Sequence, residues 1–458
     1  MLLPVLLLLL LQSASPADRA AKAKQALLQG DAAGAVRLYQ ELVKELPEDA
    51  GLRLNLALAL EASGNSAGEL AQLKIVTRQR PELTAAWLLT GLALQKTGHP
   101  ADAIAPLKKV LEREPGNATA LLELADAYLA SGDAMSAAQR FEALTKQNPV
   151  LPKGWQGLGL SYTALSNAAF HRLDNENPHS DEWRLLAAES ELERGQPERA
   201  FALLKEIDPK MAGVHAALAL VYEKSGHADW AATALAGQAL ERAAGSENPQ
   251  YRDVLRYREA AQQAFNKLAA LPESPEIHEL LAEAMQQQGR REEALTEWRR
   301  AVELAPRDNR LTGRLAESLL TNRSYPEALR LLEPLVTSNP NHADWQYLLG
   351  DALVRERRTE EALPHLERAV ALNAGLTAAQ AALGRALLQL GQAAKAIPHL
   401  QAGVPADEEA ILFQLSQAYR ATGQAALAAK TLARQQEALR RNTGQPAPAG
   451  PLPPITPP

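Results

Sequence analysis

The chain has 458 residues, is rich in Ala and Leu, holds only 4% aromatics and carries a formal charge of −6. That mix favours helix over sheet, and the interspersed charges offer no basic arm for nucleic acid. Cysteine is absent, which excludes disulfides, thiolate metal sites and a cysteine nucleophile.

The chain begins with an apolar run, Leu2 to Leu11, followed by Ser15-Pro16-Ala17. This is the pattern of a secretory signal peptide cut after Ala17, with an apolar core too short for a bilayer of about 30 Å. Residues 1–17 are therefore expected to be removed on export to a periplasmic or extracellular compartment, the alternative being a cytoplasmic chain.

A period follows. Pro47, Pro81, Pro115 and Pro149 recur at one fixed interval, and Gly30, Gly64, Gly98 and Gly132 keep the same one. Ala35, Ala103 and Ala137 stand five residues after their glycines, with Glu69 breaking the set. Tyr39, Leu73, Leu107 and Phe141 lie four residues further on. Apolar residues at three- and four-residue steps on both sides of each glycine describe two helices per period. A left-handed glycine ends the first helix, alanine admits the second closely, and proline closes the unit.

The chain resembles the tetratricopeptide repeat family. Trp87-Gly91-Leu94, Leu121-Ala125-Tyr128 and Trp155-Gly159-Tyr162 match the family's large-small-large first helix, and the pattern continues to Tyr419, Gly423 and Ala428. The resemblance implies an all-α, right-handed superhelical solenoid of helix-turn-helix repeats. On it we divide the chain into an N-terminal array 18–151, an irregular middle 152–272 and a C-terminal array 273–441. A Pro-rich tail, 442–458, is expected to be disordered.

The middle breaks the period twice. Tyr162 to Phe170 and Tyr257 to Phe265 span eight residues where Tyr128 to Phe141 spans thirteen. Five residues, the length of the turn, are missing from both. Residues 160–173 and 252–270 are each expected to be one continuous helix.

Little in the sequence carries chemistry. No two histidines have metal-ligand spacing, and His278-Glu279 lacks the second histidine of a zinc-protease helix because position 282 is Ala. No catalytic, cofactor-binding or metal-ligating residue is assigned. Trp87, Trp155, Trp183, Trp298 and Trp345 fall at packing positions of the repeat.

The resemblance implies a concave binding face lined by first helices. It places Leu54, Leu58, Leu88, Leu92 and Leu122 there in the first half, then Glu279, Glu283, Glu317, Tyr347, Asp351, Arg385 and Phe413 in the second. Glu283, Glu317 and Asp351 form an acidic ladder, expected to favour a basic segment. The sequence thus reads as a non-enzymatic scaffold for protein or peptide partners in envelope or secretion-related assembly, without nucleic acid or a membrane span. A structural spacer is the alternative, and an enzyme with a groove-located site a remoter one.

Overall fold

In a computed structural model, residues 15–241, 248–406, 408–442 and Thr456 are described. Most of the expected signal segment and nearly all of the expected tail lie outside the described residues. The described chain is all-α, with 24 α-helices, two short 3-10 turns and no strand.

Helices pair in sequence. In chain order they are α1 (Pro16–Leu28) with α2 (Ala32–Glu45), α3 (Ala50–Ala62) with α4 (Ser66–Gln79), α5 (Thr84–Lys96) with α6 (Pro100–Arg113), and α7 (Ala118–Ala130) with α8 (Ala134–Gln147). Then come α9 (Pro152–Glu176), the pairs α10 (Asp181–Glu193) with α11 (Pro197–Leu204) and α12 (Val214–Lys224) with α13 (Ala228–Gly237), and α14 (Pro249–Ala269). The last pairs are α15 (Pro275–Gln287) with α16 (Arg291–Leu304), α17 (Asn309–Thr321) with α18 (Tyr325–Ser338), α19 (Ala343–Arg355) with α20 (Thr359–Leu372), α21 (Thr377–Gln389) with α22 (Ala393–Gly403), and α23 (Glu408–Ala421) with α24 (Ala425–Asn442). Contacts divide the chain into two compact units. One holds the chain up to Leu124 together with everything from Pro272 to α24, and the other holds Ala125–Leu271.

The turn between paired helices is built as its sequence suggests. Gly30, Gly64, Gly98 and Gly132 have φ between 76° and 88°. The next N–H reaches back to a carbonyl five residues earlier: Asp31 to Ala26, Asn65 to Leu60, His99 to Leu94 and Asp133 to Tyr128, at 2.8–2.9 Å. Asp31, Asn65 and Asp133 then cap the second helix by accepting from the N–H three residues on. In two later units arginine takes the left-handed place, Arg323 at φ 61° and Arg357 at φ 62°. A side chain there costs roughly 1–2 kcal/mol. Arg323→Gly and Arg357→Gly should each raise stability by about 1 kcal/mol, read as a higher melting temperature, while Gly98→Arg should lower it.

The seam between paired helices is small against large. Ala35, Ala103, Ala137, Ala294, Ala328, Ala362 and Ala396 are fully buried, as are Leu73, Leu107 and Phe141. A methyl group at Gly91 would meet Leu107, at Gly350 would meet Leu366, and at Gly384 would meet Leu400, all within 2.7 Å. Each partner lies sixteen residues after its glycine. First helices are also held at their starts, where a side chain donates to the carbonyl six residues before it. Arg53 reaches Pro47, Trp87 reaches Pro81, Trp155 reaches Pro149, Gln346 reaches Pro340 and Gln380 reaches Ala374, at 2.7–3.1 Å.

Both turnless stretches are single helices, α9 and α14, as the missing residues require. They also pack on each other more extensively than any other pair of helices. Tyr162 stacks on Tyr257 with ring centroids 6.2 Å apart, and Ser166 Oγ donates to the Val254 carbonyl at 3.1 Å. Gly159 faces Phe265, whose ring a methyl group there would meet at 2.6 Å. Phe265 therefore fills the place that Leu107, Leu366 and Leu400 fill in ordinary units. The start of α9 and the end of α14 form one composite helix pair, and the pairs α10–α11 and α12–α13 are inserted into it. Within the insertion, Glu241 accepts from the N–H groups of Gly213 and His215 at 2.9 and 2.8 Å, holding the start of α12.

Candidate interaction surface

All twelve residues assigned to the concave face lie on first helices of the unit that holds both ends of the array. Leu54 and Leu58 on α3, Leu88 and Leu92 on α5, and Leu122 on α7 are each half-buried. Their neighbours Leu56, Ala57, Ala86, Ala93 and Leu121 are buried in the core. The first helices thus turn one side inward and leave a row of leucines partly open to solvent, as a docking face requires.

The second half differs in kind. Its carboxylates are not open charges, because arginines interleave with them. Arg310 clasps Glu279 with both amino groups, one of them at 2.9 Å. Arg314 bridges two rungs of the acidic ladder, meeting Glu283 at 3.1 Å and Glu317 at 2.8 Å. Asp351, only 3% exposed, accepts from Arg355 at 2.7 Å and from Arg385 at 2.9 Å. Four carboxylates are matched by four guanidinium groups. The charge that would attract a basic segment is already neutralised, so the ladder holds adjacent first helices together.

Arg314 also lies over the ring of Trp298, 5.2 Å from its centroid, and so ties this network to a fully buried seam residue. Burial, reinforced by the negative charge of Asp351, pushes the Tyr347 hydroxyl up to about 12, so it remains a hydrogen-bonding group at neutral pH. Arg310, Arg314, Glu317, Trp345, Tyr347 and Leu348 line a cleft of about 370 Å³. Phe413, on α23, is 47% exposed and ends the row of assigned residues. Arg385 was assigned from the sequence, whereas Arg310, Arg314 and Arg355 were missed. Their signal is an arginine three residues before Glu317, one four after Asp351, and Arg310 and Arg314 each 31 residues after an assigned acid.

Among the described residues no cluster of histidines and acids could hold a metal ion. No described helix is long and apolar enough to cross a membrane.

Models of the tetratricopeptide repeat match residues 20–84 and 314–377, 94–158 and 353–410, and 275–308, together more than half of the chain. The chain belongs to the tetratricopeptide repeat family. Among curated proteins no sequence matches it. Among solved structures, MamA from Desulfovibrio magneticus RS-1 is 22% identical and is matched over 38% of this chain and 100% of its own, with a TM-score of 0.32. Yeast Tom70 is 15% identical over 92% of this chain and 91% of its own, at 0.31. The repeat domain of P58(IPK) is 19% identical over 90% and 99%, at 0.24. Tetratricopeptide repeats are protein-interaction folds, and the partners of this chain are accordingly proteins or peptides.

Proposed function

We propose that this repeat protein is a non-catalytic scaffold that holds protein segments along the first helices of the unit containing both ends of the repeat array. The half-buried leucine row at positions 54, 58, 88, 92 and 122 carries the reading. Apolar groups left partly open beside a closed core gain free energy when a partner covers them, about 1 kcal/mol for each of these leucines because roughly half of the 1.5–3 kcal/mol for full burial is already realised. The second half selects by shape and hydrogen bonding, since its charges are already paired. The apolar run at Leu2 to Leu11 and the small residues at 15–17 support export, and with it a role in envelope or secretion-related assembly.

Leu88→Asp combined with Leu92→Asp tests the binding face. Partners recovered from the native cell on the tagged parent chain should be retained at least about tenfold less by the double variant, with its helical circular dichroism unchanged. Equal recovery by a folded double variant would refute the assignment. Amino-terminal sequencing of the exported protein should begin at Asp18, whereas an intact Met1 in the cytoplasm would refute export.

A further inference from the structure

A solenoid repeat ordinarily touches only its neighbours in the chain. The turns of the first two helix pairs break this rule. The Asn341 side-chain amide donates to the Gln29 carbonyl, 312 residues away in sequence. A Cβ at Gly30 would lie 2.5 Å from that of Asn341. One repeat further on, a Cβ at Gly64 would lie 2.2 Å from Asn373 Oδ1, and one at Gly375 would lie 3.4 Å from the Gly64 carbonyl.

Both asparagines are held in place. Arg368 donates to Asn341 Oδ1, and the Gly375 N–H donates to Asn373 Oδ1 at 3.0 Å. The turn itself does not account for the contact. Gly98, Gly132, Gly195, Gly226, Gly391 and Gly423 adopt the same left-handed conformation, and nothing lies within 4 Å of a Cβ at any of them. Only the first two of these turns are pressed against another array, and they meet it in register.

The contact is small, polar and incompletely filled. A cleft of about 150 Å³ runs beside it, bordered by Leu27, Ala62, His342 and Leu372. Contacts of this kind open far below the free energy of global unfolding. We propose that the Gly30 and Gly64 turns, seated on Asn341 and Asn373, form a reversible intramolecular clasp that joins the first two repeats to the C-terminal array. Closed, it fixes the leucine row and the arginine–carboxylate row in one unit. Open, it releases them without unfolding a helix pair. The clasp stands independently of what the chain binds.

The absence of cysteine makes a distance measurement clean. Nitroxides on Leu28→Cys and Asp344→Cys, both at exposed positions, should report one short, narrow separation by pulsed electron-spin spectroscopy. Asn341→Arg with Asn373→Arg should replace it by a broad distribution at longer distance, with helical circular dichroism unchanged. In the parent chain, low urea should abolish the short distance before the helical signal falls, a reading that stands even if the double variant folds poorly. A broad distribution in the parent, a short distance surviving in a folded double variant, or a short distance lost only together with helix would overturn the clasp.

Discussion

Replacing residues 165–257 by Ser-Gly-Asp, the turn found at 131–133, should give a shorter chain that folds as well as the parent. The splice joins the start of α9 to the end of α14 and places Phe265 sixteen residues after Gly159, the spacing of Gly91 to Leu107, Gly350 to Leu366 and Gly384 to Leu400. If those two half-helices already form one repeat, the splice removes only the insertion and the parts of α9 and α14 that carry it. The expected product is monodisperse and unfolds cooperatively, with helicity per residue close to the parent's. The same contact predicts that Phe265→Ala costs the spliced and the parent chain alike, by about 2–3 kcal/mol for a large side chain that is not fully buried. A spliced chain that aggregates or loses the helices flanking the join would show that α9 and α14 are not halves of one unit.

Glu69→Gln should stabilise the protein at pH 8 and leave it nearly unchanged at pH 4.5. Glu69 occupies the seam position that is alanine in most units and is only 3% exposed. Its Oε2 is buried without a hydrogen-bond partner among the described residues. Burial, with a smaller contribution from the charge of Glu61 and against the pull of Lys96, pushes its carboxyl up to about 7. Lys96 is itself engaged with Glu61 at 3.6 Å. In the unfolded chain the group ionises near 4.5, so between the two values the folded state holds a proton that the unfolded state has released. Stability therefore falls as pH rises through that window and stays lower above it. The amide cannot ionise, so the variant should gain about 2 kcal/mol at pH 8 and little at pH 4.5. Melting curves at the two pH values check this, and an equal shift at both would rule out ionisation as the cause.

The opposite slope is expected from three histidines of the C-terminal array. Burial lowers the pKa of His342, His365 and His399, so each binds a proton less readily when folded than when unfolded, where it titrates near about 6.5. His365 and His399 each meet a buried glutamine, Gln346 at 2.8 Å and Gln380 at 2.7 Å. Their contribution is complete above that pH and is lost as pH falls.

Much of the fold was legible because every unit repeats the same local solution. Glycine, alanine and a large seam residue at fixed offsets specify a turn and a close helix pair without reference to the rest of the chain. The missing turns after Tyr162 and Tyr257 likewise foretold α9 and α14. Their mutual pairing was not legible, because it joins Gly159 to Phe265 across the inserted pairs. The trace in the sequence is Asn175, a polar residue at the sixteenth place after Gly159 where ordinary units have leucine or an aromatic residue. Glu69 stood out as a break in the alanine series, but only the packing shows its Oε2 buried without a hydrogen-bond partner among the described residues. The acidic ladder was visible and its neutralisation was not, since a count of one sign of charge overlooks arginines on the same and the next first helix. The clasp has no local signature: Gly30 and Gly64 are ordinary turn residues until Asn341 and Asn373 are placed against them.

The measurement that bears most directly on the scaffold reading is site-specific photocrosslinking in the native cell. A photoreactive residue at Leu88, Leu92, Tyr347 or Phe413 lies on the first-helix face, whereas one at Lys108 or Arg330 lies on a second helix. The account predicts discrete protein adducts from the first group and few from the second. Adducts confined to the second-helix positions, or none from either set in cells where the partners are present, would contradict it.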